Sequence, residues 1–343
     1  MLSKYIICSK IVVLYLVLYN SFLMEEIFVA DFIFCLNAIL PSFLLIAIGY
    51  SVKRIGLVNS VGIAQFNKVL FFLLMPMITF ENTYSSDLSH DFDIRVISVA
   101  FFCVLFSFAV MAWLSPKMTD DRAAIGSMIQ GSFRSNAVAF GLPIAINFCG
   151  PEASGPTAVL CTAMVPLYNI MAVTTFSIYN KNSKKRPDIA KIAKKILTNP
   201  LILSFIAGMI IQILPFDMPI FFTKTVSSLS RAGSTMALVV IGMQLDFKNA
   251  INNIKLSSAV AVVRLLITPA IALTSSIMLG LRGPLLCAPL FILAAPCATG
   301  CASLAEAMDG DGDLAAEMVV FTTALSLFTL FTYAFLLKSW GFI

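Results

Sequence analysis

A chain of 343 residues that is 59% apolar and only 12% charged, with a mean hydropathy of +0.94, has the composition of a polytopic membrane protein and excludes an ordinary soluble domain. The net charge of +5 is no sign of nucleic acid, because most lysines and arginines lie in short connections between apolar segments, where membrane topology accounts for them. With one histidine, no metal site and no cofactor are expected, and the eight cysteines, without paired spacing, read as small buried hydrophobes rather than a disulfide framework.

In chain order, residues 1–30 read as an N-terminal extension or short hydrophobic segment. Lys4 and Lys10 precede an apolar run at 11–23 that resembles a signal-peptide core or short anchor but lacks a small-residue cleavage site. That run is short for a span, so Met24 is the expected start and residues 1–23 an upstream extension. Ten apolar segments follow, at 31–52, 63–81, 94–114, 123–149, 156–179, 199–214, 220–244, 257–280, 284–306 and 314–338. Most are near the roughly 20 residues a membrane helix needs. Pro41, Pro76, Pro143, Pro166, Pro269, Pro289 and Pro296 punctuate them and are expected to be kinks.

The fourth segment departs most from an ordinary membrane helix. Gln130, Ser132, Arg134, Ser135 and Asn136 cluster at its middle, and Gly141 and Pro143 follow shortly after. A central arginine costs about 2.5–3.5 kcal/mol on insertion scales, so its side chain is expected to face protein or water. Pro143 lacks an amide hydrogen and clashes with the carbonyl four residues earlier, which opens the local backbone. Open backbone at membrane depth persists only where it is buried in protein or lines a cavity. Polar side chains on a broken helix near the midplane therefore read as a transport site. The bland alternative is a kinked helix whose polar groups bond to its neighbours. In the fifth segment Asn169 is expected to bond across to a neighbouring helix, with a place facing the cavity as the alternative.

The basic connection at 181–198 divides the chain into 31–180 and 199–343, with five apolar segments in each part. If the first segment starts outside, 14 lysines and arginines fall on the inner side and 4 on the outer. This bias puts 181–198 in the cytoplasm and both ends outside. An odd number of spans per half gives the halves opposite senses, so any internal repeat is inverted. In the ninth segment Ala294, Ala295, Pro296, Cys297, Thr299, Gly300 and Ser303 set small residues around a proline, where the fourth segment has its polar break. Small residues let another backbone come close, and two interrupted segments at matching positions mark a transporter binding site.

Arg231 and Arg264 lie where their side chains are expected to reach a membrane face. Glu306 reads first as a helix-end residue in water and second as a proton site. Asp309, Asp311 and Asp313 faintly resemble a calcium loop, but Leu314 and Val320 stand where that loop needs glycine and glutamate, so the run reads as a turn before the last helix. No GxxxxGK[ST] phosphate loop is present, which argues against a nucleotide-driven pump. His90, the only histidine, falls in an outer connection without a nucleophile–base pair, so an enzyme is not expected.

Phe133, Arg134, Ser135 and Asn136 followed by Gly141, Leu142 and Pro143, then Val165 to Asn169, resemble the fourth and fifth helices of the bacterial branch of the auxin efflux carrier family. Asn199, Pro200 and Leu201 with Gly208, then Ile241 to Leu245, then Ala294 to Pro296 before the Gly-Asp-rich turn, match its second half in order. The resemblance covers about residues 30–340. It implies kinship with plant PIN carriers and, further off, bile-acid sodium symporters. It also implies ten transmembrane helices as two inverted repeats of five, with broken crossover helices four and nine. The first two helices of each repeat would form a scaffold and the rest an elevator-like transport domain. Relatives carry small organic anions such as malonate, malate or auxin. By position, Asn136 matches the crossover asparagine and Pro296 the crossover proline. Cys297 stands where a polar residue is common, and Ser135 where plant carriers place proline, which leaves the substrate open.

The sequence thus reads as an all-α, multi-pass protein of the cytoplasmic (inner) membrane, a secondary active transporter for a mono- or dicarboxylate. Substrate binding is expected from Arg134, Ser135, Asn136, Gly141, Pro143, Pro296, Cys297 and Thr299, with Gln130, Asn169 and Glu306 lining the cavity or serving coupling. Arg134 suits two-point contact with a carboxylate, Asn136 both donates and accepts, and half-helix N-termini favour an anion. Expected partners are a small organic anion, the lipid bilayer and a coupling proton, or else sodium; no nucleic acid is expected, and a homodimer is left open. The alternative function is a non-transporting membrane sensor or structural subunit, whose polar break would be fully buried.

Overall fold

The computed structural model describes residues 29–85, 92–179, 198, 200–213, 218–246 and 253–342. The run at 1–23, His90 and all of 181–198 except residue 198 lie outside the described residues. In chain order the helices are α1 (Val29–Arg54), α2 (Ser60–Tyr84), α3 (Ile94–Lys117), α4 (Arg122–Phe133), α5 (Ala137–Cys149), α6 (Pro151–Ile178), α7 (Pro200–Ile213), α8 (Ile220–Gln244), α9 (Ile254–Met278), α10 (Pro284–Ala294), α11 (Cys301–Ala307) and α12 (Gly312–Ser339). Seven of them, α1, α2, α3, α6, α8, α9 and α12, are long and apolar enough to cross a membrane. No strand occurs among the described residues. In lipid every backbone donor and acceptor must be met within the protein, and helices do this segment by segment.

Side chains fix where helices start. Asp93, Asp121 and Asp311 accept hydrogen bonds from the amides of Arg95, Ala123 and Leu314 at 2.8, 3.0 and 2.9 Å, each capping the helix that follows. Several helix ends are held by long cationic side chains. Lys53 Nζ donates to the Leu245 carbonyl at 2.9 Å and the Arg122 guanidinium lies over the Tyr179 ring, at the end where α1, α6 and α8 finish. At the other end Arg95 donates to the Leu279 carbonyl at 3.0 Å, Arg282 lies over Phe342 and Lys338 over Phe34.

Three prolines are accommodated by wide turns. The π-helical turns Leu70–Leu74, Ala137–Gly141 and Val262–Ile267 each end two residues before a proline: Pro76, Pro143 and Pro269. A wider turn relieves the contact between the ring and the carbonyl four residues back. Pro143 therefore does not make the break expected of it. The fourth apolar segment breaks upstream, at Arg134–Asn136, and Gly141 and Pro143 lie buried inside α5.

Two sets of helices can be told apart by their contacts. The second half of α2 packs on α7 and α8, whereas α3, α4, α6, α9, α10 and α12 pack on one another around the broken pair. The α1 and α8 backbones touch where Gly49 and Gly242 leave out a side chain. A Cβ on Gly242 would lie 1.9 Å from the Ile46 carbonyl oxygen, and one on Gly49 2.0 Å from that of Val239.

Two readings of single residues are corrected. Cys149 and Cys287 form a disulfide, with Cα atoms 6.7 Å apart, that ties the C-terminus of α5 to the first turn of α10. Their separation of 138 residues gave no spacing signal, because only the fold brings them together. Cys35, Cys103, Cys161, Cys297 and Cys301 are free and buried. Arg264 does not reach a membrane face: it is fully buried and points inward from α9 at the broken helices.

Candidate functional site

The chain is extended at Arg134–Asn136, between α4 and α5, and around Ala295–Cys297, between α10 and α11. These two stretches meet as one antiparallel bridge between Ser135 and Cys297. The Asn136 amide donates to the Pro296 carbonyl and the Ala298 amide to the Arg134 carbonyl, both at 3.0 Å. Backbone groups that lack helical partners thus find partners on the other break, which is how open backbone survives away from water. The Ser135 hydroxyl donates to the Ile292 carbonyl, and the Cys297 amide donates to the Thr322 hydroxyl at 3.1 Å.

Helices α4 and α10 both end here, with their last carbonyls directed at the crossing. Arg264 collects them. Its Nε donates to Ala295 O at 3.0 Å, Nη1 to Phe133 O at 3.2 Å and Ser132 O at 3.4 Å, and Nη2 to Ile292 O at 3.4 Å. A guanidinium carries five donors and no acceptor, which matches a group of carbonyls. The Tyr168 hydroxyl lies beside this guanidinium, outside hydrogen-bond geometry.

Beside the crossing lies a cavity of about 410 Å³. Its polar lining includes Arg134, Ser135, Asn136, Asn169 and Thr299, with Asn67 and Gln244 facing them from α2 and α8. Three donors on this lining have no partner: Arg134 Nη1, Asn136 Nδ2 and the Tyr168 hydroxyl are buried without a hydrogen bond. Unmet buried donors are uncommon in proteins and cost on the order of 1–3 kcal/mol each. Leu70, Val138, Val165 and Ile241 make up part of the apolar wall. A second cavity of about 580 Å³ shares Asn67, Gln244, Thr299 and Gly300 with the first and reaches Asp246, Asp313 and Glu317. Glu317 is buried and accepts from the Asn253 amide at 3.0 Å and side chain at 3.3 Å.

The sequence-expected residues divide between these places. Arg134, Ser135, Asn136, Asn169 and Thr299 come together on the cavity. Pro296 and Cys297 are buried in the crossing itself, where the Cys297 thiol donates to the Gly131 carbonyl at 3.1 Å, and Gln130 is buried within α4, one turn before the break. Gly141 lies behind it, where a Cβ would come within 3.1 Å of the Phe291 carbonyl oxygen. Glu306 is exposed and sits against Gly312, away from both cavities. Gly300 is not the close approach that the small-residue run suggested, because a Cβ there would meet nothing within 4 Å. Asn67, Tyr168, Gln244 and Arg264 are not assigned to the site by the sequence: Tyr168 and Gln244 enter only within the family motifs and Arg264 only as an arginine expected at a membrane face. Of these, only Arg264 carried a signal, an ionisable group inside an apolar segment.

Residues 34–334 match the membrane transport protein family. An uncharacterized transporter of Methanothermobacter thermautotrophicus is 22% identical over 297 residues, covering 86% of this chain and 95% of the relative. The uncharacterized transporter MJ1031 of Methanocaldococcus jannaschii is 23% identical over 313 residues, covering 88% of this chain and 98% of the relative. The chain belongs to the membrane transport protein family, that of the auxin efflux carriers, and is a multi-pass membrane transporter.

Proposed function

We propose that this membrane transporter moves a small organic anion by secondary active transport, with the carboxylate held where the two broken helices cross. The observation that carries this is the pair of unmet buried donors, Arg134 Nη1 and Asn136 Nδ2, on one cavity wall. Both are donors, so the missing partner is an acceptor, and a carboxylate offers two oxygens to a guanidinium and an amide at once. The free amides at the N-terminus of α5 add positive potential on the same side. Ser135 and Thr299 extend the polar wall, and the apolar wall takes the body of the substrate.

The wider plan follows the family resemblance. Ten transmembrane helices in two inverted repeats place α4–α5 and α10–α11 as the fourth and ninth, with 181–198 in the cytoplasm of the inner membrane. The assignment of the two faces rests on the 181–198 connection, which holds seven of the 14 lysines and arginines counted on the inner side. The second cavity shares lining with the first and includes Asp246 and Asp313, which this plan puts toward the cytoplasmic end, and this supports an inward-facing reading. A proton is the coupling ion in this reading.

Purified protein in vesicles, offered a panel of mono- and dicarboxylates with and without a pH gradient, tests the reading. Uptake of at least one carboxylate is expected, with Arg134→Ala raising the apparent KM about 10- to 100-fold per folded transporter. Arg134→Lys should be intermediate, since it keeps the charge and loses the planar fork. An unchanged KM in Arg134→Ala would remove Arg134 from the anion site.

A further inference from the structure

We infer that Arg264 is the positioning residue of this site: without touching the transported anion, it sets the sign of the electrical surface that the anion meets. The inference rests on the reading of the crossing as an anion site.

The C-terminal ends of α4 and α10 both point at the crossing, and a helix end of this kind carries roughly half a negative charge. The carbonyls concerned, Ser132, Phe133, Ile292 and Ala295, lie within a few residues of Arg134 and Pro296. Left bare, they would repel a carboxylate held at Arg134, in a setting where water screens little. Arg264 meets all four carbonyls, is fully buried, and has no carboxylate partner; the ion pair found among the described residues is Asp93–Arg95. Its charge is therefore set against two helix ends rather than against an acid.

The same contacts separate the tasks of the two arginines. Arg264 has its nitrogens engaged and no exposed surface, whereas Arg134 faces the cavity with one nitrogen unmet. Tyr168 lies near both without bonding to either: it lines the cavity, and its hydroxyl, beside the Arg264 guanidinium, has no hydrogen-bond partner. A cation inside a membrane segment is costly and persists for a task. An apolar side chain at 264 would leave several carbonyls open and two negative helix ends facing the substrate.

The test compares R264K and R264Q with the wild type in vesicles, per folded transporter, using a carboxylate that the wild type takes up and the neutral amide of the same acid as competitor. If charge is what matters, R264Q raises the KM for the carboxylate about tenfold and leaves inhibition by the amide unchanged. R264K, which keeps the charge but fewer hydrogen bonds, melts at a lower temperature and keeps its preference for carboxylate over amide within about threefold. Equal shifts for both ligands in R264Q would overturn the inference and leave a purely structural role. Should R264Q yield no folded protein, the decision falls to R264K, and loss of the preference there overturns it equally. Wild-type protein that takes up no carboxylate overturns the anion-site reading itself, a failure visible before any variant is compared.

Discussion

Where α1 meets α8, two unbroken helices touch backbone to backbone because Gly49 and Gly242 have no side chains. Where α4–α5 meets α10–α11, two broken helices touch through hydrogen bonds between extended stretches, and side chains carrying charge surround them. The first contact leaves each helix's own hydrogen bonding in place and calls for no polar group. It has one requirement, the absence of a Cβ. The second contact exchanges helical hydrogen bonds for crossed ones and leaves Arg134 and Asn136 with donors to offer. Close approach of backbones is thus reached by two means, and the second leaves unmet donors on a cavity wall.

Substitutions can break this contrast at either contact. The largest effect is expected at the glycine crossing. Gly242→Leu sets carbon where the Ile46 carbonyl stands, and backbone on both sides cannot move aside cheaply. A loss of about 3 kcal/mol or more follows, read as failure to recover monodisperse protein from detergent. Recovery at the wild-type yield would show that α1 and α8 are separable. Asn136→Ala comes next: folded yield stays near wild type, since the backbone bonds at 136 do not involve its side chain, while uptake falls about 10- to 100-fold even at high substrate. Gly300→Leu is the smallest of the three. The same exchange of glycine for leucine that is ruinous at 242 meets open space at 300, so thermal stability should hold within a few degrees while the added side chain fills part of both cavities. Uptake reduced about tenfold at unchanged melting temperature is the expected result. A destabilised Gly300→Leu protein would erase the distinction between the two contacts.

Much of this was legible in the sequence, for physical reasons that also mark where legibility ends. The apolar segments stand out because lipid demands them, and the break at Arg134–Asn136 stands out because lipid forbids such residues without cause. The Ala294–Cys297 run could be matched to it by position alone. What could not be read is rotation. A membrane helix is apolar on every side, so periodicity does not say which face of α9 looks inward, and Arg264 was assigned to a membrane face on its place along the helix. Asn67 and Gln244 were missed for the same reason, as ordinary polar residues on segments that carry no break. The Cys149–Cys287 pair and the Gly49–Gly242 contact depend on elements from opposite halves of the chain meeting, and no local pattern records this.

The pairing of Ser135 with Cys297 also has a consequence for synthesis. A ribosome delivers α4 and α5 to the membrane long before α10 exists, and Cys297 reaches back to Gly131 across 166 residues. Until then the open peptides at Arg134–Asn136 have nothing of their own chain to bind, and hydrocarbon offers them no substitute. The first broken helix must wait in a wetter or assisted setting, at the edge of the insertion machinery, and settle only when the second arrives. Long-range pairing of this kind is slow and leaves the waiting partner exposed to wrong associations. The cavity at the crossing is accordingly among the last parts of the molecule to exist, and a nascent chain stopped before α10 contains Arg134 and Asn136 but not the second broken helix that completes their surroundings.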